Sequence, residues 1–306
     1  MVEAVLHEQK SFAPHPQGYG RLYVVATPIG NLQDISDRVR TVLGTVTIVA
    51  AEDTRQTQKL LNHLRLTTPL ISFHMHSPPA VKSKLVERLK AGDDVALVSD
   101  AGTPAISDPG YALIEKCTQE GIAVIPVPGA NAALTALVAS GLPTDHFLFL
   151  GFLPRTASKK EEQLRALRHL PYTLILYEAP HRLKETLHLI VQIFGERKAV
   201  LARELTKVHE HFLRGTLHDL LDYVEQHEVR GELTLLIAPA PPAESREPWR
   251  EENAYKKHLM KELVAEVEAL RGLGIRLKEA VRIVGRLTGT DPKMLYRAYH
   301  GKTSED

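Results

Sequence analysis

Between residues 22 and 141 the chain alternates short, almost wholly apolar blocks with longer segments of helical spacing. The blocks are "LYVVAT" (22–27), "VTIVAAE" (46–52), "LISFHM" (70–75), "DVALVSD" (94–100) and "IAVIPVPG" (122–129). They lack the polar alternation of a half-exposed strand, so each reads as a strand buried on both faces. Between and after them, "ISDRVRTVLG" (35–44), "RQTQKLLNHL" (55–64), "AVKSKLVERLKAG" (80–92), a segment running to Gly121 and "NAALTALVASG" (131–141) read as helices. Such an alternation is satisfied by a mostly parallel sheet with helices on both faces. Ser36 reads as the N-cap of the first helix and Gly44 as its stop, Thr54 as the cap of the second, and Pro109 as a first-turn residue of the fourth.

A second α/β set follows "GLPTDH" (141–146), with strands "FLFLGF" (147–152), "TLILYEA" (173–179), "AVLARE" (199–204) and "ELTLLIA" (232–238) and helices near 159–169 and 181–194. The alternating "EHFLRGT" (210–216) reads as a hairpin strand. "PAPPAESREPW" (239–249) is too rich in proline and too polar for a core and reads as a linker. Beyond it lie three Gly-separated helical segments, the last capped by Asp291 with Pro292 in its first turn. The expected organisation is a flexible arm over 1–20, α/β domains over 21–142 and 143–239, a linker over 240–249 and a small basic helical domain over 250–301.

Charge separates these parts. Residues 246–302 hold 13 Lys/Arg against 8 Asp/Glu, a local +5, which leaves −4 on the rest of a chain whose net charge is +1. A basic tail on a mildly acidic body points to an anionic partner at that end. Cys117 is the sole cysteine, which excludes a disulfide framework and fits a reducing, cytoplasmic location. No apolar run approaches the roughly 20 residues of a membrane helix, and the N-terminus has no signal-peptide pattern.

The chemistry-bearing residues gather at strand ends, where open parallel sheets bind ligands. "SDAGTPAISDPG" (99–110) packs Asp100, Asp108, Gly102, Gly110, Pro104 and Pro109 into one connection. "ATPIGNLQD" (26–34) and "VPGANAAL" (127–134) follow two other strands, and three such loops can meet in one cleft. No G-x-G-x-x-G follows the first strand and no P-loop pattern occurs, which removes support for dinucleotide and P-loop nucleotide binding. "HMH" (74–76) and "HEH" (209–211) lack the spacing and the third ligand of a metal site, so no metal is expected. Glu52, Asp53 and Arg55 stand at another strand end. "LYEAPHRL" (176–183) and "ARELTKVHE" (202–210) add Tyr177, Glu178, His181, Arg182, Arg203, Glu204 and Lys207.

Taken in order, "LYVVATPIGNLQDIS", "AAEDTRQTQKLL", "LVSDAGTPAISDPGY", "VIPVPGANAALTAL", "YEAPHRL" and "ARELTK" resemble the bacterial ribosomal RNA small subunit methyltransferase I family, within the tetrapyrrole methylase superfamily. The resemblance covers about residues 21–239. It implies two mixed or parallel-sheet α/β domains of tetrapyrrole methylase type, S-adenosyl-L-methionine in the cleft between them, and a homodimer. It implies 2′-O-methylation of a cytidine ribose in the decoding region of 16S rRNA, with the small ribosomal subunit as partner and neither DNA nor membrane involved. Carried onto this sequence, the cofactor cradle is Pro28, the loop with Asp100, Ala101, Gly102, Thr103 and Ile106, and the turn with Ala130 and Ala132; Tyr177 and the Glu232–Leu233 backbone close it. Where family members often have Pro and a small residue, this chain has Ala130–Asn131. Methylating a small tetrapyrrole on the same scaffold and a non-catalytic RNA-binding assembly role are the alternatives; the basic tail disfavours the first.

A ribose hydroxyl is a poor nucleophile until its proton is lost or shared, so a base within hydrogen-bond reach is expected. Glu52, Asp53, Glu204 and Lys207 are the candidates, Lys207 only with a depressed pKa. Arg55 and Arg203 are expected to orient phosphate or carboxylate.

Overall fold

The computed structural model describes residues 8–241, 252–272, 274–288 and 290–301. Most of the expected linker and the first residues of the expected arm lie outside them. Strands β1 (Leu22–Val25), β2 (Ile48–Ala51), β3 (Leu70–Ser72), β4 (Val95–Val98) and β5 (Val124–Val127) form an all-parallel sheet in the order β3-β2-β4-β1-β5. Every residue of β2 and β4 is buried, as their unbroken apolar sequence requires. Side chains alternate across the sheet. Val49, Ala51, Ala96 and Val98 pack with Val39, Leu43, Leu61 and Leu64 of α1 (Asp37–Thr45) and α2 (Thr54–Leu64). Ile48, Ala50, Val95 and Leu97 pack on the other face with Leu85, Leu89, Leu113 and Cys117 of α3 (Pro79–Lys90) and α4 (Tyr111–Gln119).

Helix α5 (Ala132–Ser140) leaves the first sheet and packs on a second one. Its Ala133, Ala136 and Leu137 meet Ile175, Val200, Ala202 and Leu236. That sheet contains β6 (Phe147–Phe152), β7 (Thr173–Glu178), β8 (Lys198–Arg203), β9 (His211–Thr216) and β10 (Leu233–Ile237), ordered β6-β7-β10-β8-β9. It is mixed: β6 and β7 are parallel, and the other pairs are antiparallel. Helices α6 (Ala157–Leu167), α7 (Pro180–Phe194) and α8 (Leu217–Gln226) complete this half. The expected fold class, two α/β sheets followed by a helical region, is the one observed. Helices α9 (Glu252–Gly272), α10 (Leu277–Thr288) and α11 (Pro292–Gly301) form a compact unit of their own around Leu263, Val267, Val281, Val284 and Leu295.

Several local expectations are corrected. Ser36 caps α1, accepting from the Val39 N–H, but Gly44 lies inside the helix and Val46 ends it. A Cβ at Gly44 would come within 3.1 Å of a Leu66 methyl, so the glycine serves packing rather than termination. Asp53, not Thr54, caps α2, its carboxylate accepting from the Arg55 N–H at 2.8 Å. Pro109 precedes α4, which starts after Gly110. Helix α8, with its Thr216–Asp219 capping box, adds to the expected elements. The described part of the arm is tethered rather than loose. The Gln9 amide donates to the Val124 carbonyl at 3.0 Å and accepts from the Val124 N–H at 2.9 Å, satisfying the free edge of β5.

Candidate active site

Three strand-end loops of the first sheet are joined by hydrogen bonds. Thr27 N–H donates to the Gly102 carbonyl (2.8 Å) and Gly102 N–H to the Thr27 carbonyl (3.1 Å). The Thr103 hydroxyl donates to the Ala130 carbonyl at 3.3 Å, which brings in the third loop. That third loop runs close to the first: a Cβ on Gly129 would lie 2.9 Å from the Ala26 Cβ. Asn131 ends the loop by capping α5, accepting from the Leu134 N–H at 3.1 Å.

The second sheet approaches this platform at two places. Gly151, with φ of 61°, sits at a register shift in β6, and a Cβ there would lie 2.7 Å from Ser107 Oγ. Only a residue without a side chain lets β6 and the 99–110 loop come so close. Tyr177, at the end of β7, accepts at its phenolic oxygen from the Ala133 N–H of α5 at 3.2 Å.

Between these elements lies a cavity of about 360 Å³. Ile29, Ile106, Phe152 and Leu205 give it apolar walls; Asp108, Asn131, Tyr177 and Glu232 give it polar ones. Among the described residues its carboxylates are Asp108, Glu178 and Glu232, and no Lys, Arg or His lines it. Glu178 is already engaged by the Thr186 hydroxyl (2.6 Å) and the Ala179 N–H (2.9 Å). Burial, reinforced by Glu52 and Asp100, pushes the Asp108 carboxyl up to about 6. Burial also raises Glu52, whose carboxylate accepts from the Asp100 N–H at 3.4 Å. The cavity is therefore a concave, partly apolar, anionic site of ligand size.

Of the residues expected to form the cradle, Ala101, Gly102, Thr103, Ile106, Ala132, Tyr177, Glu232 and Leu233 line this cavity. Pro28 and Asp100 line a neighbouring cavity of about 220 Å³ with Thr27, Ser99 and Lys59. Ala130 contributes its carbonyl to the Thr103 bond. The expected acid–base residues lie outside the lining. Asp53 and Arg55 pair with each other at 2.7 Å, and the Arg55 hydrogen bond lowers Asp53 to about 2. Lys207 bridges Glu204 (2.9 Å) and Glu232 (3.1 Å). Burial alone would lower its pKa, but the two carboxylates hold it above the ordinary lysine value, so the condition for Lys207 as a base is not met. Glu204 is lowered by the Glu232 N–H and by Lys207. Arg203 Nε donates to the Arg230 carbonyl at 2.5 Å. Among the four proposed bases, Glu52 alone moves toward neutral pH. Asp108 is also raised, to about 6, and lines the cavity itself. Its place in a turn-rich loop concealed it, since Asp there equally closes turns. Among the described residues no group of His, Cys, Asp and Glu could hold a metal ion, and no helix is long and apolar enough to cross a membrane.

Parallel and mixed sheets sharing one ligand-sized cavity define a protein of the tetrapyrrole methylase class, and the family model for Tetrapyrrole (Corrin/Porphyrin) Methylases matches residues 21–221. Solved structures of that fold include a cobalt precorrin-4 methyltransferase (TM-score 0.57, 18% identity, covering 74% of this chain and 98% of that one). Another is the uroporphyrin-III C-methyl transferase of Thermus thermophilus, complexed with S-adenyl homocysteine (TM-score 0.52, 17% identity, 72% and 97% covered). Sequence relatives are far closer. The chain is 46% identical over 282 residues to the ribosomal RNA small subunit methyltransferase I of Halalkalibacterium halodurans, covering 92% of this chain and 95% of that protein. It is 43% identical over 285 residues to that of Bacillus subtilis, with 92% and 95% covered. The chain belongs to the ribosomal RNA small subunit methyltransferase I family.

Proposed function

We propose that this chain transfers the methyl group of S-adenosyl-L-methionine to the 2′-oxygen of a cytidine ribose in 16S rRNA, acting on the small ribosomal subunit. The family supports the class of reaction. The observation that carries the reading onto this chain is the cavity between the two sheets, anionic and without a cation in its lining. That lining fits a ligand bearing a sulfonium and an ammonium group and does not fit a polyphosphate cofactor. The bound donor supplies an activated methyl group. The protein supplies position: apolar walls at Ile29, Ile106 and Leu205, and a phenol at Tyr177 fixed against α5. Asp108, held near 6, can keep or release a proton at its carboxyl close to neutral pH, the range useful for sharing the proton of a hydroxyl.

The acceptor must reach the cavity as an unstacked nucleotide. The C-terminal helical unit offers Lys278, Arg282, Lys293 and Arg297 around a cavity of about 350 Å³, with Tyr296 between them. That surface suits the sugar–phosphate backbone of RNA and makes binding salt-dependent. A second copy of the chain is the expected partner for Leu134 and Val138, apolar residues one turn apart on α5 that remain 49% and 78% exposed; light scattering tests the dimer. The cytoplasm, where ribosomal subunits are assembled, is the proposed location.

The deciding experiment incubates the protein with labelled S-adenosylmethionine and small-subunit particles lacking the modification, then maps the labelled nucleotide. Label on a cytidine ribose is the expected result. Label on a base, or none on RNA, overturns the reading.

A further inference from the structure

Beside the donor cavity lies a larger one of about 720 Å³, lined by Phe152, Leu153, Pro154, Arg155, Lys160, Ala179, His181, Arg182 and Glu185. Phe152 and Ala179 belong to both linings, so the two cavities share a wall. Their charges are opposite. Among the described residues the donor cavity has carboxylates and no Lys or Arg; its neighbour has Arg155, Lys160 and Arg182, with the His181 imidazole, against Glu185.

Two of those cations are committed to structure. Lys160 is buried and gives its ammonium to Glu185 (2.9 Å) and Thr186 (3.2 Å). Arg182 donates to the carbonyls of Leu153 (2.9 Å) and Pro154 (3.1 Å) and faces the buried Glu178 carboxylate at 3.4 Å. Glu178 thereby fixes Arg182, and Arg182 fixes the Leu153–Pro154 turn that carries Arg155. The Arg155 and His181 side chains are exposed and make no hydrogen bond or ion pair among the described residues. Arg182 thus holds the turn, Lys160 ties to Glu185 and Thr186, and the Arg155 guanidinium and His181 imidazole are left facing the cavity. On the shared wall Phe152 is 54% exposed, so a face of its ring is open to a ligand. It is not loose, because its ring packs edge-on against Tyr177 with centroids 5.6 Å apart.

We infer that this second cavity seats the acceptor: a ribonucleotide of an unpaired strand, its phosphate held by Arg155 and His181 and its base stacked on Phe152, with the ribose turned toward the donor cavity. The inference rests on the RNA reading above and adds the residues that recognise the strand at the reacting nucleotide. A fixed aromatic platform flanked by free cations is the combination that binds single-stranded nucleic acid, because every base offers a π-face and every linkage a charge. The shared wall supplies what methyl transfer needs, a ribose adjoining the donor without phosphates entering the acidic cavity.

The test uses the full chain, small-subunit particles lacking the modification, and three variants: Arg155→Glu, Phe152→Ala and Phe152→Tyr. Calorimetry with S-adenosylmethionine first shows that Arg155→Glu is folded, with donor affinity within about twofold of the parent, since Arg155 does not line that cavity. Its KM for particles is expected to rise about tenfold or more. The salt dependence of RNA binding should weaken by about 0.7 in logarithmic slope for the lost phosphate contact. Phe152→Ala is expected to lose about tenfold in kcat/KM for particles and Phe152→Tyr to recover most of it. An Arg155→Glu protein with unchanged particle KM and salt slope, beside an active parent, overturns this inference and leaves the RNA reading standing. A parent chain that binds the donor yet methylates no RNA overturns both.

Discussion

Asp108→Asn gives a prediction whose sign is fixed by the structure. The Asp108 carboxyl is partly buried at the donor cavity, with Glu52 and Asp100 nearby, and these push its pKa from an ordinary 3.8 to about 6. A change of that size corresponds to about 3 kcal/mol for a group wholly out of water. Water still reaches part of this carboxyl, so about 1–2 kcal/mol is the expected effect. Because the folded-state pKa is raised, the favourable state is the protonated one. Stability is complete below about pH 4, where the acid is protonated both folded and unfolded, and is lost as pH rises through about 6. Asn carries no charge at any pH. The variant and the parent should therefore unfold in urea at similar midpoints near pH 4, and the variant should become more stable by about 1–2 kcal/mol by pH 7.5. Donor affinity should move the other way. A cationic ligand favours ionised Asp108, so parent affinity should rise across pH 5–7 and the variant's should stay flat. A parent–variant stability gap that is the same at both pH values would refute the burial argument. A flat parent affinity profile would remove Asp108 from the donor site.

Asn131→Ala removes the side-chain cap of α5 and should cost about 1 kcal/mol, seen as a fall of roughly 2–4 °C in Tm. Gly129→Ala places a methyl 2.9 Å from the Ala26 Cβ; it should destabilise by about 1–3 kcal/mol in urea unfolding and weaken donor binding by calorimetry, as the first and third loops are forced apart. Lys207→Met keeps the aliphatic stem but leaves Glu204 and Glu232 without the ammonium between them; it should destabilise by about 1 kcal/mol in urea unfolding, more at low salt where like charges are unscreened, while affinity for a cationic donor should not fall, since Glu232 lines the cavity. Deleting residues 246–306 should reduce RNA affinity in filter binding while leaving donor affinity within about twofold, because no described residue of the helical unit lines the donor cavity.

The first sheet was readable because its strands are apolar on both faces and its helices punctuate them. Strands as uniformly buried as Ile48–Ala51 leave few alternatives. The loops were readable too, since Gly102, Pro104 and Asp108 crowd a strand end where a plain connection needs none of them. Helix caps were harder. Asp53 and Thr54 both carry a capping oxygen, and only the backbone conformation decides between them. Helix α8 had a usable signal, Thr216 followed three residues later by Asp219, yet the strand pattern just before it drew the reading toward a hairpin. The protonation of the acid–base candidates was hard to read for a different reason. Sequence shows which groups titrate but not their neighbours, so the Arg55 partner that lowers Asp53 and the carboxylates that raise Lys207 emerged only in three dimensions.

Gln9 has a consequence beyond its own two hydrogen bonds. By filling the unpaired backbone positions of Val124, one side-chain amide takes the seat that a stranger's backbone would otherwise occupy. A version of the protein trimmed to begin at Arg21 would keep every loop that lines the cavity, yet it would offer an open flank to other chains. Such a version should clump on concentration or warming well before it loses the ability to hold its donor.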